Sequence, residues 1–163
     1  SGMSTQVSFH CPGVVKSERK RQRFIPGKGS IGHRTDEPDR ADFKSRLALF
    51  ASKAFPAPLE GPVGLRLHIT RPTPASYPKK PTKGNPWPWA DTKKPDCDNF
   101  AKIIQDALNG IAFRDDAQIV DLQVTKGFGE HGVRVTVWEI EDAMGVGLAA
   151  ERRAKMENLT KAG

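Results

Sequence analysis

Seven prolines fall between Pro72 and Pro95, and no other stretch restricts the fold of this chain so strongly. Proline lacks a backbone N–H and fixes φ, so a run this dense excludes both a helix and a central strand. The segment must be a long loop, and it divides the regular structure in two. On its N-terminal side, residues 6–9 can start a strand. Residues 11–34 are rich in Gly, Pro and Arg and read either as a strand pair around a turn or as a loop. Phe43, Leu47, Phe50 and Ala54 then recur at helical spacing, which predicts a helix over 39–55 that Pro56 and Pro58 end. Val63, Leu65, Leu67 and Ile69 alternate with Gly64, Arg66 and His68, the period of a half-buried strand.

On the other side, Phe100, Ile103, Ile104, Ala107 and Leu108 form one apolar stripe of a helix, with Asn109-Gly110 as its stop. Val120, Leu122 and Val124, and then Val133, Val135 and Val137, alternate on either side of a Gly-rich turn, which predicts a hairpin over 118–140. The expected fold class is α+β: a small mixed sheet with two main helices packed on it. The expected domain runs over 4–140. Residues 141–163 read as a tail, helical from about 146 to 159, and Ser1-Gly2-Met3 reads as the remnant of a cleaved tag.

The charge is basic and uneven. Formal net charge is +7. Residues 16–34 hold Lys16, Arg19, Lys20, Arg21, Arg23, Lys28 and Arg34 against Glu18 alone. Residues 71–94 hold Arg71, Lys79, Lys80, Lys83, Lys93 and Lys94 against Asp91 alone. Two such blocks favour a nucleic-acid partner. In the second, Trp87 and Trp89 interleave with lysines, so the arm can stack on exposed bases while its lysines hold phosphates; packing of both rings on the domain or on a second copy stays open beside that reading. With 37% hydrophobic residues, no apolar run reaches transmembrane length and no secretory pattern is present, so an intracellular, cytoplasmic protein is expected. Cys11 and Cys97 make neither a disulfide framework nor a zinc motif, and Cys97 reads as a small buried filler. Nothing resembles a nucleotide-binding loop, so no nucleotide cofactor is expected.

Against this basic background stands one acidic constellation. Asp96 and Asp98 lie at the entrance of the second predicted helix, with Asp98 as its expected N-cap, and Asp115-Asp116 lie one short loop beyond its end. Asp98 and Lys102 are four apart and share a helix face opposite the apolar stripe. Singly, each has a structural explanation as a cap or as a solvated i,i+4 pair. Together they offer hard oxygen ligands of the kind Mg²⁺ or Mn²⁺ takes, on a chain built to grip a polyanion.

The run Lys94-Pro-Asp-x-Asp-Asn-x-x-Lys102, then Asp106-Ala-Leu-Asn-Gly110, then Asp115-Asp-Ala-Gln-Ile119 closely resembles the RusA family of Holliday junction resolvases. The resemblance implies a dimeric, metal-dependent endonuclease, of a kind often carried by phages, that cuts four-way DNA junctions in paired, symmetric fashion. Carried onto this sequence, the family's metal-binding aspartates fall on Asp96, Asp98 and Asp116, with Asp115 adjacent, and its catalytic lysine falls on Lys102. The implied cofactor is Mg²⁺ or Mn²⁺, and the implied partners are branched DNA and a second copy of the chain. Two other readings stay open: a non-catalytic DNA-binding or architectural protein whose acids merely cap a helix, and a metal-dependent nuclease of another structure specificity.

Overall fold

The strand β2, Val63–Arg71, is where the chain is organised. Its inward side chains Val63, Leu65, Leu67 and Ile69 are fully buried, and both of its edges are paired. In the computed structural model, which describes residues 5–18, 36–140 and 148–162, four strands stand in the order β1-β4-β2-β3. The others are β1 (Gln6–Pro12), β3 (Ile119–Phe128) and β4 (Gly132–Glu139). β4 runs antiparallel to both β1 and β2, while β3 runs parallel to β2 on its other edge. The sheet is therefore mixed, and the α+β class read from the sequence is correct.

The predicted hairpin is not. β4 alternates as expected, with Val133, Val135 and Val137 buried, but in β3 Val120 and Leu122 are exposed, beside a shift in the β2–β3 register, and β2 lies between the two strands, so they share no ladder. The link over 129–131 passes across the end of β2 and is tied to it, Gly129 N donating to Arg71 O at 2.9 Å. Alternation does not mark which strand lies alongside, and where the register shifts, as at the start of β3, it does not mark which residues face inward either. The two strands with four and three fully buried inward residues, β2 and β4, take the inner places, where neighbours on both sides help bury them.

Two helices cover one face: α1, Asp36–Ala54, and α2, Cys97–Leu108. α1 packs on β1 and α2, and α2 packs on β3. Phe43, Leu47 and Ala51 of α1 meet Phe100, Ile103, Ile104 and Leu108 of α2 over the valines and leucines of the sheet, in one buried cluster. Gly110 ends the second helix with φ +79°, a conformation in which a side chain would be strained. The opposite sheet face is polar, with exposed Ser8, His10, Arg66, His68 and Arg134. His68 is a surface residue there, bonded to Thr125 at 2.6 Å. A third helix, α3 (Leu148–Lys161), lies in the region read as a tail, and its Met156 and Leu159 are exposed.

Gly64 is a sheet position where a side chain is excluded. It pairs with Trp138 of β4, and a Cβ added to it would run into the Trp138 indole. Gly64→Ala should lower stability by about 1–3 kcal/mol, the usual cost of overpacking, visible as an earlier urea midpoint with an unchanged slope. An unaltered midpoint would mean that the indole swings aside freely.

Candidate active site

The Pro-rich arm is not a shapeless loop. Tyr77 packs edge-on against Phe128 of β3 at 5.1 Å between ring centres. Thr82 and Asn85 bond each other's backbone reciprocally at 2.9 and 3.1 Å, and Ala90 bridges to Gly127. These contacts fix the arm's root and its turn. They leave Lys79, Lys80 and Lys83 exposed at the turn. Trp87 and Trp89 are 59% and 64% exposed, so neither ring is packed into the domain. That removes one of the two bland explanations for the pair, while a second copy of the chain and DNA both remain as partners for them.

The arm ends at the acidic motif. Asp96 is the N-cap residue of α2, with extended backbone, and its carboxylate makes no capping bond. Instead both of its oxygens accept from Lys94 Nζ at 2.7 Å. Asp98, expected as the N-cap, sits inside the first turn of α2, where a negative charge meets the positive end of the helix dipole. The correction is one of register: the helix starts at Cys97, which is half-buried rather than buried. Asp98 and Lys102 are both exposed. The N-terminal basic segment is rooted at the same place, because Glu18 N donates to Asn99 O in this first turn at 2.9 Å. Lys16, just before it, is held 3.7 Å from Asp39. Arg19, Lys20, Arg21 and Arg23 lie outside the described residues. Thus Asp96, Asp98, Lys93, Lys94, the arm and the root of the N-terminal basic segment gather at one end of the molecule.

Asp115 and Asp116 stand at the other end. Asp115 caps the single 3-10 turn Asp116–Gln118: its carboxylate accepts from Ala117 N at 3.2 Å, and Gln118 Oε1 accepts back from Asp115 N at 3.0 Å. The Gln118 amide then donates to Leu59 O and Gly61 O at 3.0 and 2.7 Å, just ahead of β2. Asp115 is exposed, Asp116 is half-buried, and the two carboxyls interact. The hydrogen bond from its neighbour holds Asp115 below the ordinary carboxylate range, while that same bond, with the charges of Asp115 and Asp106, pushes Asp116 above it.

The separation follows from the strands. Lys126, near the end of β3, reaches Pro95 O at 3.0 Å, whereas Asp116 precedes the start of β3. A strand of this length spans roughly 25–30 Å, so the two acidic groups lie at opposite ends of the β2–β3 pair. Among the described residues, no three His, Cys, Asp or Glu side chains converge closely enough to hold a metal ion. The donors suit a hard divalent cation in kind, yet one chain presents them at two distant places. Residue spacing does not carry this distance, because it counts residues and the helix between the two groups moves them apart.

The sequence pattern assigns no individual role to Arg71, Asp91, Lys126 or Gln118. Asp91 did carry a signal, as the single acid in the basic arm. It is buried, and it pairs with Arg71 through two bonds of 2.8 and 2.7 Å.

A basic α+β domain with exposed aspartates and a lysine at a helix start, flanked by cationic segments, has the make-up of a protein that acts on a polyanion. The family model for the endodeoxyribonuclease RusA matches residues 12–138, and the chain belongs to that family. It is also 37% identical over 113 residues to the uncharacterized protein YqaN of Bacillus subtilis (strain 168), across 66% of this chain and 80% of that protein. Among the described residues no helix is long and apolar enough to cross a membrane.

Proposed function

We propose that this protein resolves four-way DNA junctions as a metal-dependent homodimer. The observation that carries the reading is the gathering of Asp96, Asp98 and two cationic segments at the start of α2, in a member of an endodeoxyribonuclease family. The exposed lysines of the arm contact phosphates, and Trp87 and Trp89 stack on bases that the crossover leaves unpaired. Lys102 shares a helix face with Asp98 and contacts the scissile phosphate, where its charge offsets the negative charge that grows as the bond breaks. Lys94 is a second phosphate contact. Mg²⁺ or Mn²⁺, when bound, supplies an acidified water and further charge neutralisation.

Two features support the dimer. The first is the distance between Asp96/Asp98 and Asp115/Asp116, which leaves each end of one chain short of the three-aspartate set that the family resemblance implies. A second copy, related by two-fold symmetry, can bring the far end of one chain to the near end of the other. The second is β3, an edge strand that exposes Val120 and Leu122 at 64% and 45% immediately after Asp116. Unpaired edges with apolar side chains are ordinarily covered. Paired cuts in two strands of a junction need two active sites related by the same symmetry.

The test uses a synthetic immobile four-way junction and a linear duplex of matched sequence, each with Mg²⁺ and with EDTA, and maps cuts on all four strands. Paired, symmetric nicks that require Mg²⁺ and spare the duplex are expected. Tight junction binding with no cutting under any divalent ion indicates an architectural protein, and cutting of flaps or single strands in preference indicates a nuclease of other specificity.

A further inference from the structure

Three consecutive backbone carbonyls lead into Asp96, and each accepts a hydrogen bond from a cation anchored in the sheet. Arg71, the last residue of β2, donates from Nη1 to Lys94 O at 3.0 Å and from Nη2 to Lys93 O at 3.2 Å. Lys126 of β3 donates from Nζ to Lys93 O at 2.8 Å and to Pro95 O at 3.0 Å. The Arg71 guanidinium is itself held in place. Its remaining edge is taken by the buried carboxylate of Asp91, and its plane lies over the Phe100 ring in α2 at 5.5 Å. Asp91 also accepts from Lys93 N at 3.2 Å.

We infer that Arg71 and Lys126 are positioning residues: they fix the 93–95 backbone so that Asp96 and the first turn of α2 are presented in one geometry. The inference rests on the nuclease reading above. A planar guanidinium with donors on three sides fits two carbonyls and a carboxylate at once, which a lysine in its place cannot do. The two cations come from neighbouring parallel strands, so the loop is referred to the rigid sheet and not to the arm. Asp91 belongs to the arm, and the same node therefore ties the arm's root to the acidic motif. Groups that orient a metal's ligands typically matter by 10–100-fold in metal affinity or activity.

The experiment compares wild type with Lys126→Met, Lys126→Arg and Arg71→Lys. It reads junction binding in EDTA, single-turnover cleavage, the Mn²⁺ concentration for half-maximal cleavage, Mn²⁺ uptake by electron paramagnetic resonance, and thermal melting. Lys126→Met keeps the apolar stem and removes the donor. It should slow cleavage and raise the Mn²⁺ midpoint by about tenfold or more, with junction binding in EDTA within about twofold of wild type. Lys126→Arg, which keeps a cationic donor, should recover most of the loss. Arg71→Lys should resemble Lys126→Met; if it melts early, Lys126→Met alone decides. A Lys126→Met protein with unchanged cleavage and Mn²⁺ midpoint overturns the inference, and so does one whose defect is entirely weaker junction binding. Wild-type protein that takes up no Mn²⁺ and cuts no junction overturns the nuclease reading, and this inference with it.

Discussion

Asp98→Asn should bind four-way junctions as wild type does and cut them at least about a hundredfold more slowly. The substitution keeps the shape of the side chain and removes its charge. Asp98 is exposed in the first turn of α2, with no fold contact that the change would break. The loss of a favourable charge at the helix start costs about 0.3–1 kcal/mol at most, too little to unfold a domain. The exposed lysines of the arm remain, and on the proposed reading they carry the salt-dependent part of the affinity. Binding and cutting should therefore separate cleanly. Gel-shift titration in EDTA and single-turnover cleavage in Mg²⁺ measure the two. Equal loss in both would assign Asp98 to DNA contact or to folding and leave the chemistry elsewhere. Lys102→Ala gives a useful contrast: it removes the cation proposed to contact the scissile phosphate, so cleavage should fall by roughly 10²–10³-fold with a small loss in binding as well.

The parts of the fold legible in the sequence were those set by a repeating pattern. The apolar stripe from Phe100 to Leu108 placed α2 to within two residues, and the alternation from Val63 to Ile69 placed β2. What alternation could not supply was the neighbour of each strand, and the slot that β2 occupies between β3 and β4 went unseen. The site divides in the same way. Asp96, Asp98, Lys102, Asp115 and Asp116 were legible as a motif because their residue types and spacing are unusual together. The device that holds the motif was not. Arg71 and Lys126 act through carbonyl oxygens, which belong to every residue and leave no mark in a sequence. Only the fold brings the ends of β2 and β3 to the loop at Lys93–Pro95. Cys97 shows the limit of local pattern from another side: read as extended and buried, it is the first residue of a helix and half-buried.

Mixing two inactive proteins should restore cutting. Asp98→Asn and Asp116→Asn each remove a carboxylate, but from opposite ends of the β2–β3 pair. If each metal site takes Asp96 and Asp98 from one chain and Asp116 from the other, a mixed dimer has one site with both lesions and one with neither. After subunits exchange at equal concentration, half of the dimers are mixed and each has a single intact site, so nicking should return to roughly a quarter of the wild-type level. The product itself is diagnostic. A dimer with one working site cuts one strand, so nicked junctions should accumulate while fully resolved duplexes stay scarce. Sites built within one chain predict something different: every site in a mixed dimer then carries one lesion, and the mixture stays as inactive as its components. Subunit exchange is checked separately by pull-down of an untagged variant with a tagged one. Exchange without recovered nicking would assign each site to one chain, whereas an Asp116→Asn protein that still cuts by itself would mean that Asp115 and Asp116 serve only to cap the turn before β3.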